Sequence, residues 1–444
     1  MINYDVIVIG SGCSGMVSAI AARRTGAKVL IVEKNPYVGG TNVGSMVVPL
    51  MSFHAGDKQV VKGIGQEIVA KLIEENQSLG YIPDPLGFCS TVTPVNEDAL
   101  KNVYFDFIDK ENIDLLLNTI VCDCTVVDNK VTEIEVVNKS GKMKIGAKVF
   151  IDASGDADLA ALAKVPFTFG RQNDNLTQPM TLVFTVGNVN SDAIKDYMKK
   201  NPEEFVLRGD YDFEYLGVSG FFKQVKEAKQ NGDLYVDRDR VLLFQAIKPD
   251  EVTINMTRVL GYNPTDAFSL SKAEVEGRKQ LRNVMSFLRK YIPGFEHSYV
   301  VKSAQQIGVR ESRHIHGKYT LTKDDVIYAR KFEHSVAIGS FPIDIHSPTG
   351  GNMEFHNVSA ENCYEIPVEV LLPVNRDGLL VTGRSISATH EASASSRLTP
   401  TCMALGQAAG TLAALAVKKN VSVSDVDVKE LQQKLIEDGQ VIFK

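Results

Sequence analysis

The sequence predicts an α/β fold: a Rossmann-like domain of parallel strands and helices carrying a β-meander, plus a second, mixed α+β domain inserted within it. Three observations carry this. The chain opens on a strand, a glycine turn, a helix and a second strand in immediate succession. Two later strands, far apart in sequence, end in glycine turns of the same kind. Between those two, from about residue 166 to 354, the pattern changes to short strands mixed with longer helices. The expected division is therefore 1–165 for the first part of the α/β domain, 166–354 for the inserted substrate domain, and 355–444 for the returning part.

The first element is the apolar run Tyr4-Asp-Val-Ile-Val-Ile9, which leads into Gly10-Ser-Gly12-Cys-Ser14-Gly15. Gly10 allows a tight strand-to-helix turn, Gly12 lets backbone approach a pyrophosphate, and Gly15 lets the helix pack close to the strand. The helix that starts here, Met16 to Thr25, offers free N–H groups and a partial positive charge to phosphate. Cys13 sits in the turn as a small side chain. The second strand, Lys28 to Val32, ends at Glu33. A carboxylate there accepts hydrogen bonds from a ribose diol and repels a 2′-phosphate, which leaves FAD or NAD as the dinucleotide. Lys34 and the turn-rich Pro36-Tyr-Val-Gly39-Gly40-Thr41 follow.

Asn96 to Lys110 has helical periodicity. Asp114 to Asn118 reads as a buried strand, and Thr119–Val127 with Lys130–Val137 as a hairpin across Asp128-Asn129. A further meander strand pairs across Ser140-Gly141. Lys148 to Ile151 is a second core strand, ending in Asp152-Ala-Ser154-Gly155-Asp156-Ala-Asp158, with a short helix at Leu159–Ala163. The inserted region shows strands near Met180–Val189 and Arg240–Ile247, and helices near Ser191–Lys200 and Ser271–Tyr291. Gly378 to Gly383 is the third core strand. Arg384 follows, then a long loop, Ser385 to Leu398. A helix rich in Ala and Gly runs to about Val417, with Thr399 as N-cap and Pro400 in the first turn. Val428 to Glu437 closes the chain as an amphipathic helix.

The 444 residues are 44% hydrophobic and 23% charged, with a net charge of −6. This is ordinary globular composition, enough for two domains. No long basic run is present, which argues against nucleic-acid binding or a polybasic membrane patch. No uninterrupted apolar run reaches spanning length, so no integral membrane segment is expected. With the first strand read from residue 4, no signal peptide is expected. The six cysteines are scattered without a zinc or iron–sulfur spacing; the expectation is a cytoplasmic protein with reduced thiols and no metal. Cys122 and Cys124 lie in a predicted strand with both side chains on one face.

The three glycine turns together resemble those of the FAD-dependent oxidoreductases, two-domain flavoproteins related to the fumarate reductase and succinate dehydrogenase flavoproteins. The resemblance covers nearly the whole chain. Besides the N-terminal fingerprint it rests on Val149-Phe-Ile-Asp-Ala-Ser-Gly-Asp-Ala-Asp158, Gly308-Val-Arg-Glu-Ser-Arg-His-Ile315, Val381-Thr-Gly-Arg-Ser-Ile-Ser-Ala-Thr-His-Glu391 and Thr401-Cys-Met-Ala-Leu-Gly-Gln-Ala-Ala-Gly410. It implies FAD held by the turns around Gly10, Gly12, Ser14 and Gly15, by Glu33 and Lys34, by Gly40 and Thr41, by Ser154, Gly155 and Asp156, and by Gly383 and Arg384. The last helix, from Pro400, would point its N-terminus at the flavin pyrimidine edge, where it stabilises the negative charge of the reduced ring. No His follows Gly39-Gly40-Thr41, so non-covalent FAD is expected. A nicotinamide site would need a second G-x-G-x-x-G and a redox cysteine pair, and neither is present.

The same resemblance implies that His390, in the loop after the third turn, contacts substrate as acid–base or oxyanion partner. Arg397 could bind an anion. It follows later than the family's corresponding Arg and lacks the double Gly after it, which argues against dicarboxylate reduction. Arg310, Glu311 and Arg313 fall where the chain comes back from the inserted domain. Arg310 is a candidate anion clamp or proton relay with Glu311; a structural Glu311–Arg313 pair is the alternative. His314 and His316 would share a strand face, and Asp344 and His346 another that could line the pocket. The expected activity is hydride transfer between flavin N5 and a small-molecule, polar substrate bound between the two domains. The alternative is a flavin-bearing electron-relay or assembly subunit with no substrate of its own. The electron donor or acceptor is not identified by the residues, and a homo-oligomer stays open.

Overall fold

The structure, a computed structural model, describes residues 2–350, 353–358 and 362–444. Strand β1 (Ile2–Ile9), helix α1 (Cys13–Arg24) and strand β2 (Val29–Val32) form the expected opening unit. A short helix α2 (Gly40–Gly44) grows out of the loop that follows. Helix α3 (Glu97–Lys110) is capped by Asn96, whose side chain accepts from the amides of Asp98 and Ala99. Strand β3 (Asp114–Leu116) is only partly buried, because it is the edge of the sheet. Strands β4 (Ile120–Val127), β5 (Lys130–Asn138) and β6 (Gly141–Asp152) come next. The hairpin turn sits at Asp128 (φ 47°) and Asn129 (φ 64°), two residue types that tolerate the left-handed region.

The expected meander is continuous with the α/β sheet. Strand β6 pairs antiparallel with β5 over its first half and runs parallel to β1 from Ile145 to Asp152. The seven-stranded sheet has the order β3-β2-β1-β6-β5-β4, with the later strand β15 (Leu379–Val381) added parallel to the end of β6. The ends of β1, β6 and β15 thus lie side by side and bring the three glycine turns together.

After helix α4 (Asp158–Leu162), strand β7 (Phe167–Phe169) leads into the inserted region. Its core is a five-stranded antiparallel sheet built from β8 (Phe184–Gly187), β9 (Gly217–Gly220), β10 (Val241–Gln245), β11 (Val252–Ile254) and β12 (Tyr299–Ser303). Helices α5 (Ser191–Lys200) and α6 (Ala267–Tyr291) contribute buried side chains, among them Ile194, Met198, Phe287 and Leu288, to a separate hydrophobic core. Strand β13 (Arg313–Ile315) pairs with β7 on the way back. Leu321, Val326, Ile338, Ile343 and Ile345 already pack in the core of the first sheet. The chain therefore rejoins that core before the expected boundary at 354. Strand β14 (Ile343–His346) lies in this stretch.

The expected loop 385–398 contains a helix, α7 (His390–Ser396), with Thr389 as N-cap. Helix α8 (Thr399–Lys419) follows at once, and α9 (Val428–Glu437) closes the fold. Among the described residues α8, the expected Ala- and Gly-rich helix, is the one helix long and apolar enough by composition to cross a bilayer, with a mean hydropathy of 1.3. In the fold its apolar length fills the core: 94% of the window is buried. It lies across α1 with almost no side chain between the two. A Cβ on Gly406 would come 2.3 Å from the Ser14 carbonyl oxygen, and one on Gly410 2.1 Å from that of Ser18.

Candidate functional site

The first turn is built on bare backbone. Gly10 (φ +89°) leaves no room for a Cβ, which would lie 2.5 Å from the Ala153 carbonyl oxygen, and one on Gly15 would lie 2.0 Å from that of Gly10. Gly12 differs: a Cβ there would meet nothing nearer than the Cα of Gly40 at 3.8 Å. Gly12 and Gly40 form the open floor of a cradle that a larger side chain at Gly40, 2.6 Å from Gly12 Cα, would close. The N-termini of α1 and α8 have no side-chain cap, so their first N–H groups remain available to a ligand. These features fit a pyrophosphate-bearing dinucleotide such as FAD.

The three turns are tied to one another. Ser14 Oγ and Thr382 Oγ1 lie 2.8 Å apart, and Ser385 Oγ donates to the Gly155 carbonyl at 2.7 Å. Arg384 pairs with Asp156 at 2.7 Å, and its guanidinium lies over Gly155. Burial alone would raise the Asp156 carboxyl, but Arg384 and Lys34 hold it below its ordinary value. Lys34 itself is exposed at the mouth, and Thr41 is half-buried in α2. Ser154 turns inward: its Oγ donates to Asp152 at 2.6 Å and accepts from the Asp158 amide at 3.0 Å. Thr399 is not the N-cap of α8; that place belongs to Leu398, and Thr399 Oγ1 accepts from Asn42 Nδ2 at 2.9 Å. Pro400 lies in the first turn. Asn42 ties α2 to α8 in this way, a link that no sequence pattern announced.

Glu33 is 4% exposed at the end of β2. Its Oε2 accepts from the Ser11 amide at 2.8 Å and the Ser11 hydroxyl at 2.6 Å, and its Oε1 accepts two bonds from Asn35, both 2.9 Å. These four bonds match the four lone-pair positions of a carboxylate, so a ribose diol bound there must share or displace one of these donors. Glu33→Arg removes all four bonds and buries an unpaired cation. Charged hydrogen bonds are worth roughly 1.5–3 kcal/mol each, so FAD affinity is expected to fall about 100-fold or more. A fluorescence titration of the apoprotein with FAD measures this, and a Kd within twofold of wild type would rule Glu33 out.

The second cluster joins segments from across the chain. Glu311 is 1% exposed, and its Oε1 accepts from His390 Nδ1 at 2.7 Å and from His314 Nε2 at 3.2 Å. Its Oε2 accepts from the Gln178 amide at 2.9 Å. A carboxylate only accepts, so it fixes Nδ1–H on His390 and leaves Nε2 as the free ring atom. Arg310 Nη1 donates to the Pro179 carbonyl and to Thr181 Oγ1, both at 2.6 Å. Arg397 Nη2 donates to Gln178 Oε1 at 3.3 Å, which also accepts from the His346 amide at 3.4 Å. His346 Nε2 lies 3.2 Å from Asp344. Burial pushes His346 down to about 3 despite Asp344, so its imidazole is neutral at ordinary pH. Burial also opposes the charge on Asp344, but the hydrogen bond from His346 and the charges of Arg397 and Arg310 hold its carboxyl below the ordinary value.

Of the predicted catalytic residues, His390, Glu311, Arg310, Arg397 and His346 are thus brought to one place. Gln178, which bonds Glu311, Arg397 and His346, carried no motif and was missed. The structural Glu311–Arg313 pair does not form; Arg313 pairs instead with Asp158 at 2.9 Å. His314 and His316 do not share a face: His314 is buried in β13, while His316 lies past its end and is exposed. Among the described residues no group of His, Cys, Asp or Glu could hold a metal ion. Cys122 and Cys124 also part company. A register shift between Glu135 and Val136 leaves Cys122 opposite no residue of β5, so it is exposed while Cys124 packs on the core.

The Glu311 network predicts a pH dependence. Burial alone would raise its carboxyl, but hydrogen bonds from His314 and His390 bring it down from 4.5 to about 2. A folded value below the unfolded one adds stability that is complete above the unfolded value and lost as pH falls through the folded one. Glu311→Gln is expected to cost on the order of 2–3 kcal/mol at neutral pH and to flatten the fall of Tm in acid. Melting curves across that range check this; an acid limb as steep as that of wild type would place its origin elsewhere.

With this geometry in view, the comparisons with known proteins are consistent. The FAD dependent oxidoreductase family matches residues 5–435. The NADH:fumarate oxidoreductase of Klebsiella pneumoniae (strain 342) is 54% identical over 41 residues, 9% of this chain and 4% of that protein. A 3-oxosteroid 1-dehydrogenase of Mycobacterium tuberculosis (strain ATCC 25618 / H37Rv) is 45% identical over 111 residues, 21% of this chain and 18% of that protein. The chain therefore matches only a small part of these relatives' length. Among solved structures, the p-nitrophenol 4-monooxygenase PnpA from Pseudomonas putida DLL-E4 covers 99% of this chain and 85% of its own, with 12% identity and a TM-score of 0.53. That likeness is one of fold.

Proposed function

This chain belongs to the FAD dependent oxidoreductase family, and from that premise we propose that it transfers a hydride between its flavin and a small polar substrate held where the inserted region rejoins the first sheet. The observation that carries this is the buried 2.7 Å hydrogen bond from His390 to Glu311. It joins the segment after the third glycine turn to the segment returning from the inserted region. Non-covalently bound FAD supplies the two-electron centre, taking up or giving hydride at N5. Glu311 holds the His390 ring and its tautomer. His390 Nε2 takes the substrate's proton when the substrate loses hydride and returns it in the reverse direction. The uncapped start of α8 offers N–H groups and a positive dipole where negative charge would gather on the reduced ring.

Two measurements test this. Acid denaturation of the purified protein should release free FAD, and yellow colour kept by the precipitated chain would overturn non-covalent binding. Anaerobic mixing of the holoprotein with a panel of small hydroxy, amino and unsaturated compounds should find one that bleaches the flavin or, after photoreduction, restores it. A flavin that exchanges electrons with protein carriers alone would instead favour the relay reading.

A further inference from the structure

Helices α1 and α8 run in step. Gly406 lies against the Ser14 carbonyl, and Gly410, one turn on, against the Ser18 carbonyl, one turn further along α1. Cys402, one turn before Gly406, therefore comes level with the head of α1, where Cys13 is the first helical residue. The two thiols lie within hydrogen-bonding reach of each other. They stand at opposite ends of the sequence, so no Cys-x-x-Cys spacing announces the pair. Their surroundings differ. Cys13 is half-buried, and Cys402 is 4% exposed. The bond from Cys402, then the Ser14 amide and the Arg384 charge, hold the Cys13 thiol below its ordinary value although burial opposes this. The uncapped start of α1 acts in the same direction. The same bond, burial and the Cys13 charge push Cys402 up, so it keeps its proton. Its S–H faces the Ser396 carbonyl at 3.7 Å as well as Cys13. Among the described residues the Tyr104 hydroxyl is buried without a hydrogen-bond partner. Burial, and then the Cys13 charge beside it, push its ionisation up, which leaves a neutral O–H donor near the Cys13 sulfur.

We propose that Cys13 and Cys402 are a peroxide-sensitive dithiol that closes to a disulfide between the two helix heads of the cofactor site and so lowers its hold on FAD. A thiolate at a helix head, reachable from a ligand site and facing a second thiol, is the arrangement that redox-sensing cysteines share. The Cys13 thiolate attacks the terminal oxygen of a hydroperoxide. An S–O bond forms, the O–O bond breaks, and the departing alkoxide or hydroxide takes a proton from solvent. The Cys402 sulfur then attacks the Cys13 sulfenic acid. The S–S bond forms, the S–O bond breaks, and water leaves with the Cys402 proton. The thiol pair loses two electrons, and the hydroperoxide is reduced to its alcohol, or to water, with release of one further water. The effect on the cofactor follows from position. The heads of α1 and α8 are both uncapped N-termini, and a covalent tie between their first turns shifts one against the other. Loss of a single charge-assisted hydrogen bond to the cofactor corresponds to about tenfold in affinity. The proposal is independent of the hydride-transfer reading, since it needs neither His390 nor a substrate.

The test uses the holoprotein and needs no turnover. It is treated with an equal concentration of hydrogen peroxide, desalted, alkylated under denaturing conditions and digested. Mass spectrometry should find the Cys13 peptide joined to the Cys402 peptide, and the ratio of flavin to protein absorbance should fall. Dithiothreitol followed by FAD should restore that ratio. Titration of the oxidised and the reduced apoprotein with FAD should show a Kd raised about tenfold or more by oxidation. Cys402→Ser should stop at the Cys13 sulfenic acid, which dimedone traps. Cys122→Ser, at an exposed position of β4, should behave as wild type does. If Cys402→Ser does not fold, the wild-type peptide map decides alone. Oxidation confined to the other cysteines, or a Cys13 sulfinic acid formed without the disulfide, overturns the pairing. A Cys13–Cys402 disulfide that leaves flavin content and Kd unchanged overturns the switch.

Discussion

His390→Ala should slow reduction of the flavin by substrate about 10²–10⁴-fold, the usual range for a lost acid–base group, with FAD content and Tm close to those of wild type. The structure separates the ring from the fold. His390 opens α7, but the helix is capped by Thr389, whose side chain accepts from the Ala392 amide at 3.3 Å. Ser393 Oγ donates to the His390 backbone carbonyl at 2.8 Å, a bond the substitution keeps. Glu311 loses one donor and retains two, from His314 and from the Gln178 amide. Its carboxylate is therefore not left orphaned, the circumstance that makes most buried-partner deletions severe. Anaerobic stopped-flow with the substrate found by the panel measures the effect. An unchanged rate would remove His390 from the chemistry, and loss of FAD together with the rate would show a role in holding the two regions together. Glu311→Gln provides the complementary reading. An amide in place of the carboxylate no longer dictates the tautomer, so the rate should fall and its pH profile shift while the imidazole is still present.

The parts legible in the sequence are those with a local cause. Helices α5 and α9 have the bounds that their apolar periodicity predicts, Ser191–Lys200 and Val428–Glu437. The Asp128-Asn129 hairpin follows from its turn chemistry, and the glycine turns from their spacing. The failures have tertiary causes. The meander strand after Ser140-Gly141 and the core strand from Lys148, read separately in the sequence, are one strand, β6, which pairs with β5 at its start and with β1 from Ile145 onward. Helix α7, His390-Glu-Ala-Ser-Ala-Ser-Ser396, has no apolar stripe because Ala392 to Ser396 are all buried. Only Thr389 as a capping residue could have announced it. The site divides in the same way. His390 and Glu311 were visible as members of motifs, but their contact spans 79 residues of chain. Gln178 sits in no motif, and only the return of the chain to the first sheet brings it beside Glu311.

Gly410→Val should leave a protein with little bound FAD and a stability lower by about 3 kcal/mol or more, beyond the usual 1–3 kcal/mol of core overpacking. The obstacle is what sets the size. A Cβ at Gly410 meets backbone, the Ser18 carbonyl oxygen at 2.1 Å and Ser18 Cα at 2.9 Å. No side chain there can swing aside. Gly406, one turn earlier, meets the Ser14 carbonyl oxygen at 2.3 Å in the same way, so α1 and α8 touch along two successive turns. Restoring ordinary contact requires the helices to part by roughly 1 Å, and both belong to fully buried packing that has no slack to absorb it. The displacement would reach the cofactor because both helices have uncapped N-termini of the kind that hold a dinucleotide. The Ser14–Thr382 contact of 2.8 Å, which ties the first turn to the third, lies at the head of α1. Stability and cofactor retention should therefore fall together, and added FAD should recover only part of the loss. Gly209→Ala is the matched control, since a Cβ there meets nothing within 4 Å, and it should change Tm little. The measurements are the ratio of flavin to protein absorbance after purification and the melting temperature with and without excess FAD. Wild-type values of both for Gly410→Val would mean that α1 and α8 do not cross at Gly410. The close packing that sets the two helix N-termini side by side would then have to be abandoned.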